Sequence, residues 1–541
     1  MTATTLQPPP ATTPAPERAL SWLAMRQIRR GAALVTLTAA GLSGVVAAQY
    51  QATFADALDS ESLRALTENP AVRVLFGAAR ALDDPGGFTV WRTGTPVFVL
   101  CGLWALLAAT RITRGEEESG RWDLLLAGRA RLVDLVARSA AMLTLAAVLA
   151  AAGVGIVLAA TGTATAGAIV HALCVFGTTT FFAGVGLLAA QLLPSRPAAT
   201  GSAAAVLGAC LLLRMLADGL TALAWTAWLT PFGLAARAAP YAGNHVAPVL
   251  TLMGIAAATV LAAVAVARRR DLGSAVIRPA DHRPARTRLL GSVPGFAARR
   301  ALSSTTGWAV GIAAYFSVIG AVLSSILEFL TDNPRFAELA ATAGFGGIGT
   351  ATGFAAAMFA LLAIPAGLYA VTRIAAMAAE EKARRWTTLH SLPLSRYQLA
   401  GAEIGVTAVA IAVLLATAAV ALWAGAVLTG ASLGLGQALA GASNIAPVAL
   451  LGLGAAVLAL GWYPGAVGAI GALPVAGGFL LDIVARSAGA PAWLIEASPF
   501  AHLAPVPDAA PDPIATLALI TIALTMMGIG LCGYARRDLN D

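Results

Sequence analysis

The sequence predicts an all-α integral membrane protein of twelve transmembrane helices, arranged as two parallel six-helix repeats. Three observations carry that expectation. The first is composition: of 541 residues, 58% are hydrophobic and 11% are charged, whereas a soluble domain keeps roughly 25% charged residues to face water. A bilayer removes that need, because lipid tails accept apolar side chains on the outside of a protein as well as inside. With a mean hydropathy of +0.78, a soluble enzyme, a disordered chain and a fibrous protein are excluded. The second observation is a set of twelve apolar runs. The third is that landmarks in the first half recur in the second at nearly one spacing.

In chain order, residues 1–16 form a Thr/Pro tail with Pro8, Pro9, Pro10, Pro14 and Pro16, which cannot build a helix and is expected to be a disordered cytoplasmic tail. No basic segment followed by a short apolar core and cleavage site opens the chain, so no cleaved signal peptide is expected. Residues 17–30 place Leu20, Leu23, Ala24 and Ile28 on one helical face and Arg18, Arg26 and Arg29 on another, the pattern of an interfacial amphipathic helix. A membrane helix needs about 20 largely apolar residues. Candidates lie near 31–52, 94–112, 139–160, 166–193, 198–218 and 246–267 in a first half spanning 31–267. A basic linker, 268–300, follows. The second half, 301–541, has candidates near 307–328, 350–376, 400–428, 436–460, 462–484 and 513–534. Their density of small residues suits close helix packing in lipid.

Arginine placement sets the orientation. Arg26, Arg29 and Arg30 precede the first span, nine arginines lie in the central linker, and Arg536 and Arg537 follow the last span. The loop 53–93 instead holds six acids against four arginines. Both termini and the linker are therefore expected in the cytoplasm, with loops 53–93 and 329–349 outside. Segments 219–245 and 485–512, with Trp225, Trp228 and Trp493, fit short outer helices with tryptophans at headgroup level.

Three landmarks mark the repeat. Glu116-Glu117-Glu118-Ser119-Gly120-Arg121-Trp122 matches Glu380-Glu381-Lys382-Ala383-Arg384-Arg385-Trp386, 264 positions on. Trp225 and Pro231-Phe232 match Trp493 and Pro499-Phe500, 268 on, and Arg269-Arg270-Asp271-Leu272 matches Arg536-Arg537-Asp538-Leu539, 267 on. Six spans per half return the chain to the same side, which gives parallel repeats.

The segment joining the second and third spans of each half is the most distinctive. It runs Arg114 to Leu126 in half one, and Glu380 to Leu389 followed by Leu392-Pro393-Leu394-Ser395-Arg396 in half two. It resembles the E-x-G-R/T-x-x-x-L-L…P-x-S-R segment of type 2 ABC exporter permeases, in particular the fused twelve-helix actinobacterial kind labelled polyketide-antibiotic or tetronasin-type. The resemblance covers the whole chain in helix count and orientation, and about 20 residues per half in motif. It implies a short coupling helix in each half that docks on a separate ATPase, with Glu116, Glu117, Gly120, Arg121, Trp122, Glu380, Glu381, Arg385, Trp386 and Arg396 at the contact. The residues agree with that: acids suit the head of a helix, and Trp122 with Leu125 and Leu126 would form an apolar ridge for a groove. Half two lacks the glycine, and half one lacks the P-x-S-R end.

A P-loop places lysine after glycine. The single lysine, Lys382, follows Glu381, so the chain carries no such motif and is expected to be no enzyme. The resemblance puts ATP and Mg2+ on a partner ABC ATPase, in two copies for two coupling segments. The five histidines and four cysteines show no metal or catalytic spacing, and no nucleic-acid partner is expected. His171 reads as a packed residue.

Charges inside spans are costly and call for a role. Arg214 and Asp218 lie one turn apart, and Asp482 and Arg486 repeat them with the signs exchanged. Two arrangements are open: a local pair within each helix, or Arg214 with Asp482 and Asp218 with Arg486 as an outer gate between the halves. Glu403, near the start of the ninth span, aligns with Arg138, another change of sign. Phe181, Phe182, Met358 and Phe359 are candidate substrate-path residues, with plain packing as the alternative. The expected function is the permease subunit of an exporter in a bacterial plasma membrane. Its cargo would be an amphipathic or apolar compound, such as an antibiotic, drug or lipid. The alternative is a proton- or ion-coupled secondary carrier. Such a carrier wants a mid-membrane carboxylate, and the acids here lie near span ends.

Overall fold

A computed structural model describes residues 16–50, 73–74, 77–128, 130–219, 221–277, 289–332, 334, 347, 349–383, 386, 393–487 and 490–537. The N-terminal tail, most of the loop 53–84, much of the linker, and Arg384, Arg385 and Thr387 to Leu392 lie outside them. Among the described residues there is no β-strand, and twelve helices are long and apolar enough to cross a membrane. The chain is an all-α multi-pass membrane protein. It divides into two compact units, with the boundary in the central linker.

The first unit contains α1 (Pro16–Gln49), α2 (Pro85–Glu118), α3 (Arg121–Leu126), α4 (Leu132–Ala160), α5 (Thr165–Leu192), α6 (Arg196–Gly219), α7 (Pro231–Ala238) and α8 (Val246–Ala267). Residues 17–30 are not a separate interfacial helix, because α1 runs through them and the first span without a break. Caps set helix starts that apolarity alone does not show. Asp84 Oδ1 accepts from Gly86 N at 2.8 Å and Gly87 N at 2.9 Å, with Pro85 in the first turn, so α2 begins well before its apolar stretch. The centre of the unit is α5, packed on α2, α4 and α8. It is apolar nearly all round, as a helix enclosed by others must be. Phe182 on α5 lies against Gly102 of α2 and Phe232 of α7.

The second unit contains α9 (Val293–Ala321), α10 (Leu323–Asp332), α11 (Ala351–Lys382), α12 (Arg396–Leu428), α13 (Leu435–Asn444), α14 (Ala446–Trp462), α15 (Val467–Ala472), α16 (Gly478–Ser487), α17 (Ala492–Glu496) and α18 (Pro513–Arg536). The tenth span, α13 and α14 together, is its most enclosed, as the fourth span α5 is in the first unit. It packs on α11 and α18, while α9 packs on α12. Ser292 caps α9 through Gly295 N at 3.2 Å. Ser395 and Gln398 form a capping box for α12, at 3.2 Å and 3.0 Å. That gives the P-x-S-R stretch a local reason: its serine starts a helix. The matching segments before the last span of each unit also agree. Both are short helical turns, Thr221–Leu229 with α7 and α17 with Pro499–His502, and both expose tryptophan, Trp225 in one and Trp493 in the other.

Candidate functional site

The acidic clusters end helices rather than begin them. Glu116, Glu117 and Glu118 form the last turn of α2, and Glu380 and Glu381 the last turn of α11. A helix C-terminus is the negative end of the dipole, where carboxylates are unfavourable unless paired. The expectation that these acids suit a helix head is corrected accordingly, and the structure supplies each described acid with a donor.

In the first unit a π-helical turn, Arg111–Gly115, sets the register of the acids. Glu117 faces inward. Its two oxygens accept from Arg270 Nη1 at 2.7 Å and Nη2 at 2.8 Å, a bidentate pair. Gly273 N donates to it at 2.8 Å, and Arg114 Nη1 lies 3.0 Å away. The side chains of Arg270 and Glu117 are 1% and 4% exposed. Arg270 also donates to Gln191 Oε1, on the last turn of α5, at 2.9 Å and 3.2 Å. Glu116 pairs with Arg121 at 3.1 Å, and Glu118 accepts from the backbone of Arg196, the first residue of α6, at 2.6 Å. Gly120 then adopts φ +72°, a left-handed conformation open to glycine at a helix end. That turn reverses the chain into α3.

The turn also overturns the apolar ridge. Trp122 is 3% exposed and packs among Leu132, Leu135, Val136 and Ala267 of its own unit, because α3 folds back against α4 and α8. The exposed residues of α3 are Arg121, Asp123 and Leu124, the last 79% exposed.

In the second unit Glu381 pairs with Arg537, which follows the last helix, and Arg537 Nη1 donates to Leu460 O on α14 at 2.7 Å. Arg396 caps the end of α18 through the carbonyls of Tyr534 and Ala535, at 3.5 Å and 3.4 Å, and that of Arg537. It therefore faces its own unit. Glu380 pairs with Arg300 and accepts from Trp386 Nε1 at 3.0 Å, and the Arg300 guanidinium lies 5.2 Å from the Trp386 ring. Glu403, buried, accepts from Arg300 at 2.5 Å and Arg373 at 2.6 Å. Trp386 is buried like Trp122. Arg385 lies outside the described residues.

Arg214 and Asp218 form a local pair at 2.6 Å on α6, with Thr95 accepting from Arg214 at 2.8 Å. Asp482 lies on α16, and the side chain of Arg486 is outside the described residues. Phe182 and Phe359 are fully buried within their units, Phe359 stacked on Phe316 with ring centroids 5.9 Å apart. Phe181 and Met358 are half-buried. His171 is buried against Phe98 at 5.4 Å. Among the described residues no group of three or more His, Cys, Asp or Glu could hold a metal ion.

Sequence reasoning missed the network of the buried Arg373 and Glu403 with the half-buried Arg300 and Glu380. Its signals were Glu380 in a repeated landmark, an acid near the start of a span and an arginine ending the linker. It also missed that the acids after the second span meet the arginine after the sixth, although both belonged to its repeated landmarks.

Residues 290–535 match the family described as the C-terminal domain of the multidrug efflux system permease Rv1217c. The chain is 28% identical over 523 residues to the multidrug efflux system permease protein Rv1217c of Mycobacterium tuberculosis (strain ATCC 25618 / H37Rv), covering 93% of this chain and 92% of that one. Over nearly its whole length, then, the chain is similar to the membrane permease of a multidrug efflux system, as the motifs after its second and eighth spans implied.

Proposed function

We propose that this chain is the membrane subunit of an ATP-binding cassette exporter, moving an amphipathic or apolar compound out of a bacterial cell. The observation that carries the proposal is the similarity to a multidrug efflux permease along both halves of the chain. The sequence has no lysine placed for a P-loop, so the motor is a separate ATPase that binds ATP and Mg2+, in two copies, one for each docking segment. In this reading the chain is no enzyme itself and sits in the plasma membrane, with its termini and linker in the cytoplasm. The docking segments are those that follow α2 and α11. The exposed Leu124 and Arg121 beside the paired Glu116 give the first a mixed apolar and charged face, the composition of a helix-in-groove contact.

Expression of the chain with an ABC ATPase encoded beside its gene, and reconstitution of the complex in liposomes, tests this. The expected result is retention of the ATPase through purification and ATP-dependent uptake of ethidium into inverted vesicles. Replacing Leu124 by Asp should weaken retention. Uptake that ignores ATP and disappears when the proton gradient is collapsed would instead establish a secondary carrier.

A further inference from the structure

The two ion pairs at the ends of α2 and α11 are one arrangement built twice. Glu117 and Glu381 are 264 positions apart, and Arg270 and Arg537 are 267 apart. In each unit the carboxylate ends the second span and the arginine follows the sixth. In each unit the same arginine makes its next contact at the end of the fourth span, with Gln191 on α5 in one case and Leu460 on α14 in the other. The neighbourhoods have otherwise diverged. The first unit has Gly120 and the Arg114 contact, while the second has the Arg300 and Glu403 network. What both halves retain is a three-way tie between spans two, four and six.

Fold stabilisation alone does not account for this choice. Taking two charges out of water costs about as much as their attraction returns, so a buried pair is weak grounds for stability, and apolar residues of similar volume would hold the helices as well. A charged pair adds direction and a fixed partner. It also sits where movement would enter: Glu117 is five residues before Trp122, and Glu381 five before Trp386. The partner span is the most enclosed helix of its unit.

We propose that Arg270 and Arg537 are positioning residues that tie each docking segment to the fourth and sixth spans of its own unit, so that displacement of the segment by the ATPase is passed to those spans. This rests on the exporter reading. The second unit is the better place to test it, because its pair is less buried, with Arg537 21% exposed against 1% for Arg270.

The experiment compares wild type, Arg537→Gln, and the charge exchange Glu381→Arg with Arg537→Glu, each purified with the ATPase and reconstituted. Three quantities are read: ATPase retained, ATP hydrolysed, and ethidium moved per ATP. For Arg537→Gln the expected result is full retention and hydrolysis within about twofold, with ethidium moved per ATP down about tenfold, the order of one lost charge-assisted contact. A glutamate at 537 cannot donate to the Leu460 carbonyl, so the charge exchange should recover the part of that ratio carried by the tie between the second and sixth spans, which a purely structural role would not predict. An unchanged ratio in Arg537→Gln overturns the tie while leaving the exporter reading intact. So does a parallel fall in retention, hydrolysis and transport that the exchange does not reverse. A wild-type chain that keeps no ATPase and moves no ethidium with ATP overturns the exporter reading, and the tie with it.

Discussion

Glu117 carries more donors than any neighbouring acid, and that makes its replacement costly. Glu117→Gln leaves one acceptor oxygen, but the Arg270 charge stays at 1% exposure with Gln191 and the Ser274 carbonyl as its remaining partners. Breaking a buried pair by removing one member costs about 3–5 kcal/mol, and the remaining acceptors put this case at about 3. Glu118→Ala removes only an exposed acceptor for the first amide of α6, a loss of about 1 kcal/mol by analogy with helix caps. Thermal midpoints of the purified chain in detergent should therefore fall clearly for Glu117→Gln and slightly for Glu118→Ala; equal falls would contradict the pairing described. These acids stood out in the sequence because they recur. Their partners did not, since Glu117 and Arg270 are 153 residues apart and counting spans gives the side of the membrane a residue faces but not its direction around the helix axis. The same limit misplaced Trp122: a tryptophan followed by leucines reads as a free ridge until the left-handed turn at Gly120 folds it back.

Helix pairs in the second unit cross at glycines, and this gives the elements their own test. A Cβ on Gly320 of α9 would stand 2.2 Å from the Leu422 carbonyl oxygen of α12, and one on Gly425 would stand 2.5 Å from the Ser317 oxygen. Where α14 meets α18, a Cβ on Gly461 would stand 2.2 Å from the Gly530 oxygen. Backbone cannot yield as a side-chain tip does, so Gly320→Ala or Gly461→Ala must push whole helices apart, at about 1–3 kcal/mol or more. Gly307, on the same helix as Gly320, has nothing within 4 Å, and Gly307→Ala should be neutral or stabilising by up to about 1 kcal/mol. Thermal midpoints for the three variants check this, and a loss at Gly307 matching that at Gly320 would count against the crossing. All twelve spans were legible as apolar runs, because the bilayer imposes one length on each. Their ends were less so. The second span begins at Pro85 rather than near 94, and the seventh at Val293 rather than near 307. Caps such as Asp84 and Ser292 extend helices into polar sequence that a hydropathy count ignores.

At the scale of the whole chain, duplication and span number together predict a topology that labelling can test. Each unit has six spans, and an even number returns the chain to the side on which it entered. Parallel repeats predict that equivalent loops of the two units lie on the same side of the membrane, which inverted repeats would forbid. Ala164, between α4 and α5, and Ser432, between α12 and α13, are 268 positions apart, and both are exposed. The arginine rule predicts that they face outward. Gly291, before α9, and Gly465, after α14, are exposed with nothing within 4 Å of an added Cβ, and the same rule predicts the cytoplasmic side for both. Of the native cysteines Cys101, Cys174 and Cys210 are buried and Cys532 is exposed, so a Cys532→Ala background leaves little to react. In that background an impermeant maleimide applied to intact cells should label Ala164→Cys and Ser432→Cys, and should reach Gly291→Cys and Gly465→Cys only after the cells are opened. Labelling of Ala164→Cys without Ser432→Cys would mean an odd number of spans in one half, and would remove the shared cytoplasmic face that the proposal of two docking segments requires.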